Sequence, residues 1–205
     1  MRFPIHESGF IGLPINRHPG AYGAVRLHDI HSGVDLYTRE NAPVFAMADG
    51  EVVAYEQFTG PPRFPWWKTT HALIVKNNVK GIRREDDPQY MQYICYGEIV
   101  SWLQPGDKVW NGAEIGKVVP VLQADKLRKD IPGHSTSMLH LEMYDDTYDV
   151  SKNYWDVWGF SDTEPSSSLE INPAINIISL SKPKYLIDPT QYLIKSMREP
   201  KFLTV

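Results

Sequence analysis

Cysteine is almost absent from this chain: Cys95 is the only one in 205 residues. A single thiol excludes an internal disulfide framework and a zinc site built from cysteines. It stands in the apolar run Tyr93-Ile94-Cys95-Tyr96, where a small buried hydrophobe is expected rather than a nucleophile. Excess positive charge is missing as well. The net charge of −4 offers no electrostatic footprint for nucleic acid or an anionic membrane, so no nucleic-acid partner is expected. No run approaches the roughly 20 apolar residues that cross a bilayer, so no transmembrane segment is expected. The opening Met1-Arg2-Phe3-Pro4-Ile5-His6-Glu7 also lacks the apolar core of a signal peptide.

What the chain does have is turn chemistry and aromatic side chains. Sixteen prolines, fourteen glycines and 12% aromatics favour short strands over long helices. The expectation is an all-β fold, a mainly antiparallel sheet in a barrel-sandwich core with short peripheral helices. Residues 1–26 read as an extended arm with turns, 27–150 as the main β domain, and 151–205 as an extension packed on that domain. Val44 to Tyr55 reads as two strands around Asp49-Gly50, a hairpin or a tight corner. His71–Lys76 and Tyr90–Tyr96 read as strands, with Gly106, Gly112 and Gly116 separating very short ones further on. The loop Gly60–Trp67 carries three prolines and two tryptophans, while Ala124–Lys129 suits a helical turn or two. Pro165-Ser166-Ser167-Ser168 is the expected flexible point, and Asp188-Pro189-Thr190-Gln191-Tyr192-Leu193 the start of a short capped helix.

Two stretches carry residue types suited to metal chemistry: His31-Ser32-Gly33-Val34-Asp35-Leu36 and Leu139-His140-Leu141-Glu142. A zinc ion that keeps a position open for water takes three protein ligands drawn from imidazole and carboxylate. Gly33 weakens a helix interior, so a bent, extended loop is the better way to present His31 and Asp35. Period-2 alternation over Ser137–Tyr144 puts Leu139, Leu141 and Met143 on one face and Met138, His140 and Glu142 on the other. The first face belongs to a core and the second is free for a site. Glu142 is placed to orient a ligand histidine through its second nitrogen; a strand-surface carboxylate is the plainer alternative. An ordinary surface histidine is the corresponding alternative for His31. His28 and Asp29 are fallback ligands, and His71 reads as structural.

Four blocks then fall in a recognisable order: HSGVDL (31–36), VFAMADGEVV (44–53), PGDKVWNGAEIGKV (105–118) and LHLEMY (139–144). Together they resemble the lysostaphin/LytM-type zinc endopeptidases, which cut peptide cross-links of bacterial peptidoglycan on an antiparallel β core. The resemblance runs over about residues 17–144. It implies a Zn2+ ion held by His31, Asp35 and His140, one per chain, and a peptidoglycan peptide as substrate. The family's last motif reads His-x-His, but the first of those positions here is Met138. Its middle motif reads Tyr-x-His-Leu, and here the chain has Tyr96-Gly97-Glu98-Ile99. Both accessory histidines are therefore replaced, and Glu98 is the residue expected to act as general base beside the metal. His134 and Tyr96 are the candidate substrate contacts, with Trp66 and Trp67 as possible groove walls.

Two other readings stand beside this one. A catalytically impaired relative would keep the fold to bind peptidoglycan or to regulate a cell-wall hydrolase. The glycine-punctuated block 105–118 also resembles biotin or lipoate carrier domains, but Lys108 and Lys117 are not at the hairpin position such a carrier needs. Peptidoglycan lies outside the cytoplasmic membrane. Delivery by a phage particle or a contact-dependent secretion system, or a leader on a longer natural chain, is thus expected, with the localisation otherwise unknown.

Overall fold

Among the described residues nearly every element is a strand, and most of the strands converge on one sheet. The computed structural model describes residues 1–6, 10–25, 30–62, 67–77, 91–121, 137–154 and 184–204. In order these form β1 (Leu13–Pro14), β2 (Val34–Tyr37), β3 (Pro43–Phe45), β4 (Gly50–Thr59), β5 (Thr70–Asn77) and β6 (Tyr93–Val100). They continue with β7 (Lys108–Val109), β8 (Glu114–Val118), β9 (Met138–Tyr144), β10 (Leu186–Ile187), α1 (Thr190–Ser196) and β11 (Phe202–Leu203). Nine strands make the main sheet along the path β10-β9-β6-β5-β4-β7, with β2 on β9 and β8 joining β3 to β6. Every pairing within it is antiparallel. The short pair β1 and β11 is parallel. The all-β expectation holds.

β9 is the strand that organises the site because it is paired along both edges. One edge runs along β6, with Tyr96 opposite Leu141 and Gly97 opposite His140. The other meets β2, with Asp35 opposite His140 and Val34 opposite Leu141, and then β10. Its side chains alternate as the sequence pattern requires. Leu139, Leu141 and Met143 enter a large apolar core with Val34, Leu36, Val75, Ile94 and Tyr96. Tyr144 faces the other way, into a second cluster with Cys95, Phe58, Tyr148, Tyr154 and Tyr185. Cys95 is free and fully buried, and burial pushes its thiol well above the usual range. It is the inert core residue the sequence suggests.

The region around Asp49-Gly50 is a corner, not a hairpin. β3 pairs with β8 while β4 pairs with β5 and β7, so the two neighbouring strands belong to different partners. Residues of the N-terminal arm are extended but deeply packed: Phe3, Ile5, Phe10 and Leu13 all belong to the large core. At the other end Ile187, Leu193 and Met197 close the same core. Pro189 occupies the N-cap of α1 without a side-chain cap bond, and Asp188 accepts from the Thr190 amide at 2.8 Å. The helical turn expected at Ala124–Lys129 and the flexible point at Pro165–Ser168 lie outside the described residues. Among the described residues no helix is long and apolar enough to cross a membrane.

Candidate metal centre

The centre forms where the loop leading into β2 folds back across β9. His31 and Ser32 lead into a bend at Gly33, and Asp35 lies inside β2. Antiparallel register then sets Asp35 directly across from His140, so their side chains leave the same face of the sheet. Gly33 is what allows the bend to lie so close. A Cβ there would stand 2.4 Å from the Leu141 carbonyl oxygen and 2.9 Å from both Glu142 Cγ and His140 Nε2. The N-terminal arm fixes the ligands from behind. The Gly20 carbonyl accepts from the Asp35 amide at 2.9 Å, and the Ala21 carbonyl lies 2.9 Å from His31 Nδ1.

Each imidazole has one nitrogen engaged by an acceptor and the other directed at the same point. With Nδ1–H of His31 donating to Ala21, its Nε2 is the nitrogen left to offer to a metal, 3.0 Å from Asp35 Oδ1. His140 reverses the arrangement. Its Nε2 lies 2.8 Å from Glu142 Oε1, leaving Nδ1 at 2.9 Å from Asp35 Oδ1 and 3.2 Å from His31 Nε2. This is the group of three among the described residues that can hold a metal ion. Donor atoms about 2.0–2.1 Å from a tetrahedral zinc ion stand about 3.3 Å apart, close to the separations here. The donor set, two imidazoles and one carboxylate, leaves a fourth position and fits zinc.

All three side chains are buried: His31 is 2% exposed, Asp35 4% and His140 6%. Burial opposes charge on His140, but the hydrogen bonds its ring donates to Asp35 and Glu142, and the charges of both carboxylates, overcome it and raise its pKa to about 10. Burial likewise disfavours the Glu142 carboxylate, and the hydrogen bond and charge of His140 reverse that and lower its pKa. A proton and a metal ion compete for the same His140 Nδ1 lone pair. The Phe58 ring lies 5.2 Å from that of His140. It approaches over Gly97, where a Cβ would meet Phe58 at 3.0 Å.

The remaining sequence candidates are placed less uniformly. Glu98 is 8% exposed and follows Gly97, the residue paired with His140 on β6. It lies in a register shift opposite His71–Leu73 with φ 62°, a left-handed conformation that non-glycine residues seldom adopt. It is not a member of the metal-capable group. Tyr96 does not fit a substrate contact. It is fully buried in the large core, and its hydroxyl accepts from the Met47 amide at 2.9 Å. Within β6 it shares its face with Ile94 rather than with Gly97, so the strand's alternation turns it away from the centre. His71 stacks on Tyr55 at 4.9 Å, a structural position. Met138 pairs with Tyr37, and Trp67 is half-buried. His134, His28, Asp29 and Trp66 lie outside the described residues. Sequence reasoning did not find Ser32, Tyr144 and Tyr154, which all donate to Glu142. Tyr144 was within reach, since it continues the face of His140 and Glu142.

No protein-family model matches this chain, and no curated protein matches it in sequence. Among solved structures it is similar to a zinc-containing peptidase from Vibrio cholerae, at 20% identity and TM-score 0.42, over 74% of this chain and 39% of that one. It is also similar to the antimicrobial peptidase lysostaphin from Staphylococcus simulans, at 15% identity and TM-score 0.45, over 86% of this chain and 48% of that one. The lysostaphin catalytic domain alone aligns at 16% identity and TM-score 0.43, over 85% of this chain and 89% of the domain. The chain thus spans 39% of the length of the first and 48% of the length of the second.

Proposed function

We propose that the chain is a zinc-dependent metallopeptidase that cleaves cross-links or stem peptides of bacterial peptidoglycan. The observation that carries this reading is the convergence of His31 Nε2, Asp35 Oδ1 and His140 Nδ1 on one point, with the other nitrogen of each histidine already engaged. The substrate class is supported by the four sequence blocks and their order. A zinc ion held there supplies Lewis acidity, polarising a carbonyl and easing deprotonation of water near neutral pH. Asp35 contributes the negative charge of the ligand set, and the engaged nitrogens keep both rings turned toward the ion. Phe58 restricts water on the His140 side. Glu98 takes a proton from the attacking water and returns it to the leaving amine. Its left-handed backbone beside the ligand strand supports that role, since such conformations concentrate at functional sites. The substrate of this reading lies outside the cytoplasmic membrane.

The test joins metal analysis of protein purified without added metal to digestion of purified peptidoglycan. One zinc per chain with release of peptide products is the expected result. Glu98→Gln should keep the zinc and lose about 10²–10⁴-fold in hydrolysis, the span of a general base. Undiminished hydrolysis in that variant removes Glu98 from the mechanism. Zinc without any hydrolysis favours a peptidoglycan-binding or regulatory relative, the reading that Met138 in place of a histidine supports. Absence of metal overturns the centre itself.

A further inference from the structure

The Glu142 carboxylate takes no part in the ligand set, yet four side chains among the described residues bond to it. It has no exposed surface, and a carboxylate inside a protein is costly unless its lone pairs are met. Four donors meet them. His140 Nε2 lies 2.8 Å from Oε1, the Tyr154 hydroxyl donates to Oε1 at 2.7 Å, and Ser32 Oγ donates to the same oxygen. The Tyr144 hydroxyl donates to Oε2 at 2.5 Å. These donors come from the bend before β2, from β9 itself and from the segment that follows β9. Each carboxylate oxygen offers about two acceptor sites, so the three donors on Oε1 leave none of its sites open and hold that oxygen against His140.

We propose that Glu142 is a positioning residue for His140 and that Tyr154 holds it in place, which makes the segment after β9 part of the metal centre's construction. The inference rests on the metal reading above. Glu142 decides which His140 nitrogen carries the proton. With Nε2–H committed to Oε1, only Nδ1 can face Asp35 and His31. Tyr154 is fixed at two points besides its hydroxyl. Its amide donates to Glu56 Oε2 on β4 at 2.9 Å, and its ring meets Phe58 edge-on at 5.0 Å. Phe58 in turn lies against the His140 ring. Tyr154 therefore reaches His140 along two routes, one polar through Glu142 and one apolar through Phe58. Only the first is lost on replacement by phenylalanine.

The full chain would be titrated with Zn2+ against a competing chelator, and with Co2+ while following its visible absorption. Three variants are compared: Glu142→Gln, Tyr154→Phe and Tyr148→Phe. Tyr148 lies in the same cluster, but its buried hydroxyl has no hydrogen-bond partner among the described residues, so it serves as the control. Loss of an outer partner of a ligand histidine costs roughly 10–100-fold in metal affinity. Glu142→Gln should fall within that span and Tyr154→Phe near its lower end, about tenfold, while Tyr148→Phe matches the unsubstituted protein. The cobalt spectrum should change in the first two variants only, because it reads the ligand field and not the stability of the fold. If Glu142→Gln does not fold, Tyr154→Phe carries the comparison. Wild-type affinity and spectrum in Tyr154→Phe overturn this inference alone. An unsubstituted chain that binds neither metal overturns the metal reading and this inference with it.

Discussion

The two faces of β9 are both buried and obey different rules. On one face Leu139, Leu141 and Met143 sit in the large apolar core, where burial is non-directional and shape matters more than any single contact. On the other, His140 and Glu142 are enclosed just as fully, at 6% and 0% exposed. Each of their polar atoms there needs a partner at a particular distance and angle. The apolar face can therefore tolerate a swap of similar volume for less than about 1.5 kcal/mol. The polar face cannot lose one member without stranding another. Burial alone does not tell a core from a site; the bonds that burial forces do.

Three substitutions test that contrast, in descending order of expected effect. Asp35→Ala removes the acceptor on which both histidines converge. Metal affinity should fall by more than the roughly 10–100-fold that an outer partner costs, to the point where chelator competition detects no bound ion. Retention of stoichiometric metal would break the ligand assignment. Leu141→Ala works on the opposite face of the same strand. It should cost about 2–5 kcal/mol of unfolding free energy, read by denaturant titration, while the folded fraction still binds one metal per chain. Loss of metal from folded Leu141→Ala would show that the two faces are not separable. Gly33→Ala acts where the bend touches the strand. Its methyl collides with the Leu141 carbonyl and crowds His140 and Glu142, so a cost of about 1–3 kcal/mol is expected, together with weaker metal binding. Unchanged affinity there would mean that the bend relaxes without moving the ligands.

Much of the site is legible along the chain. The alternation of Met138 to Tyr144 separates core from site because successive side chains leave a strand on opposite faces, a property local to the backbone. Gly33 in the bend and histidine and carboxylate in the ordered motifs are legible for similar reasons. Tyr96 shows the limit. The run Tyr93-Ile94-Cys95-Tyr96 is apolar on both faces, as a strand covered on both sides must be, so its pattern does not say which residues face the centre. The corner at Asp49-Gly50 is another case, since a turn signal does not state whether its flanking strands pair with each other.

By itself the sequence determined the β character of the chain, the faces of β9 and the residue types available to a metal. Tertiary structure alone decided that Asp35 lies across from His140, because register is set by which strands meet. It also decided that the carbonyl of Ala21 engages His31 and that Tyr154 reaches Glu142. Those contacts join residues between 10 and 105 positions apart. A local pattern can say which side of a strand a residue takes, and only the packed chain can say what waits there.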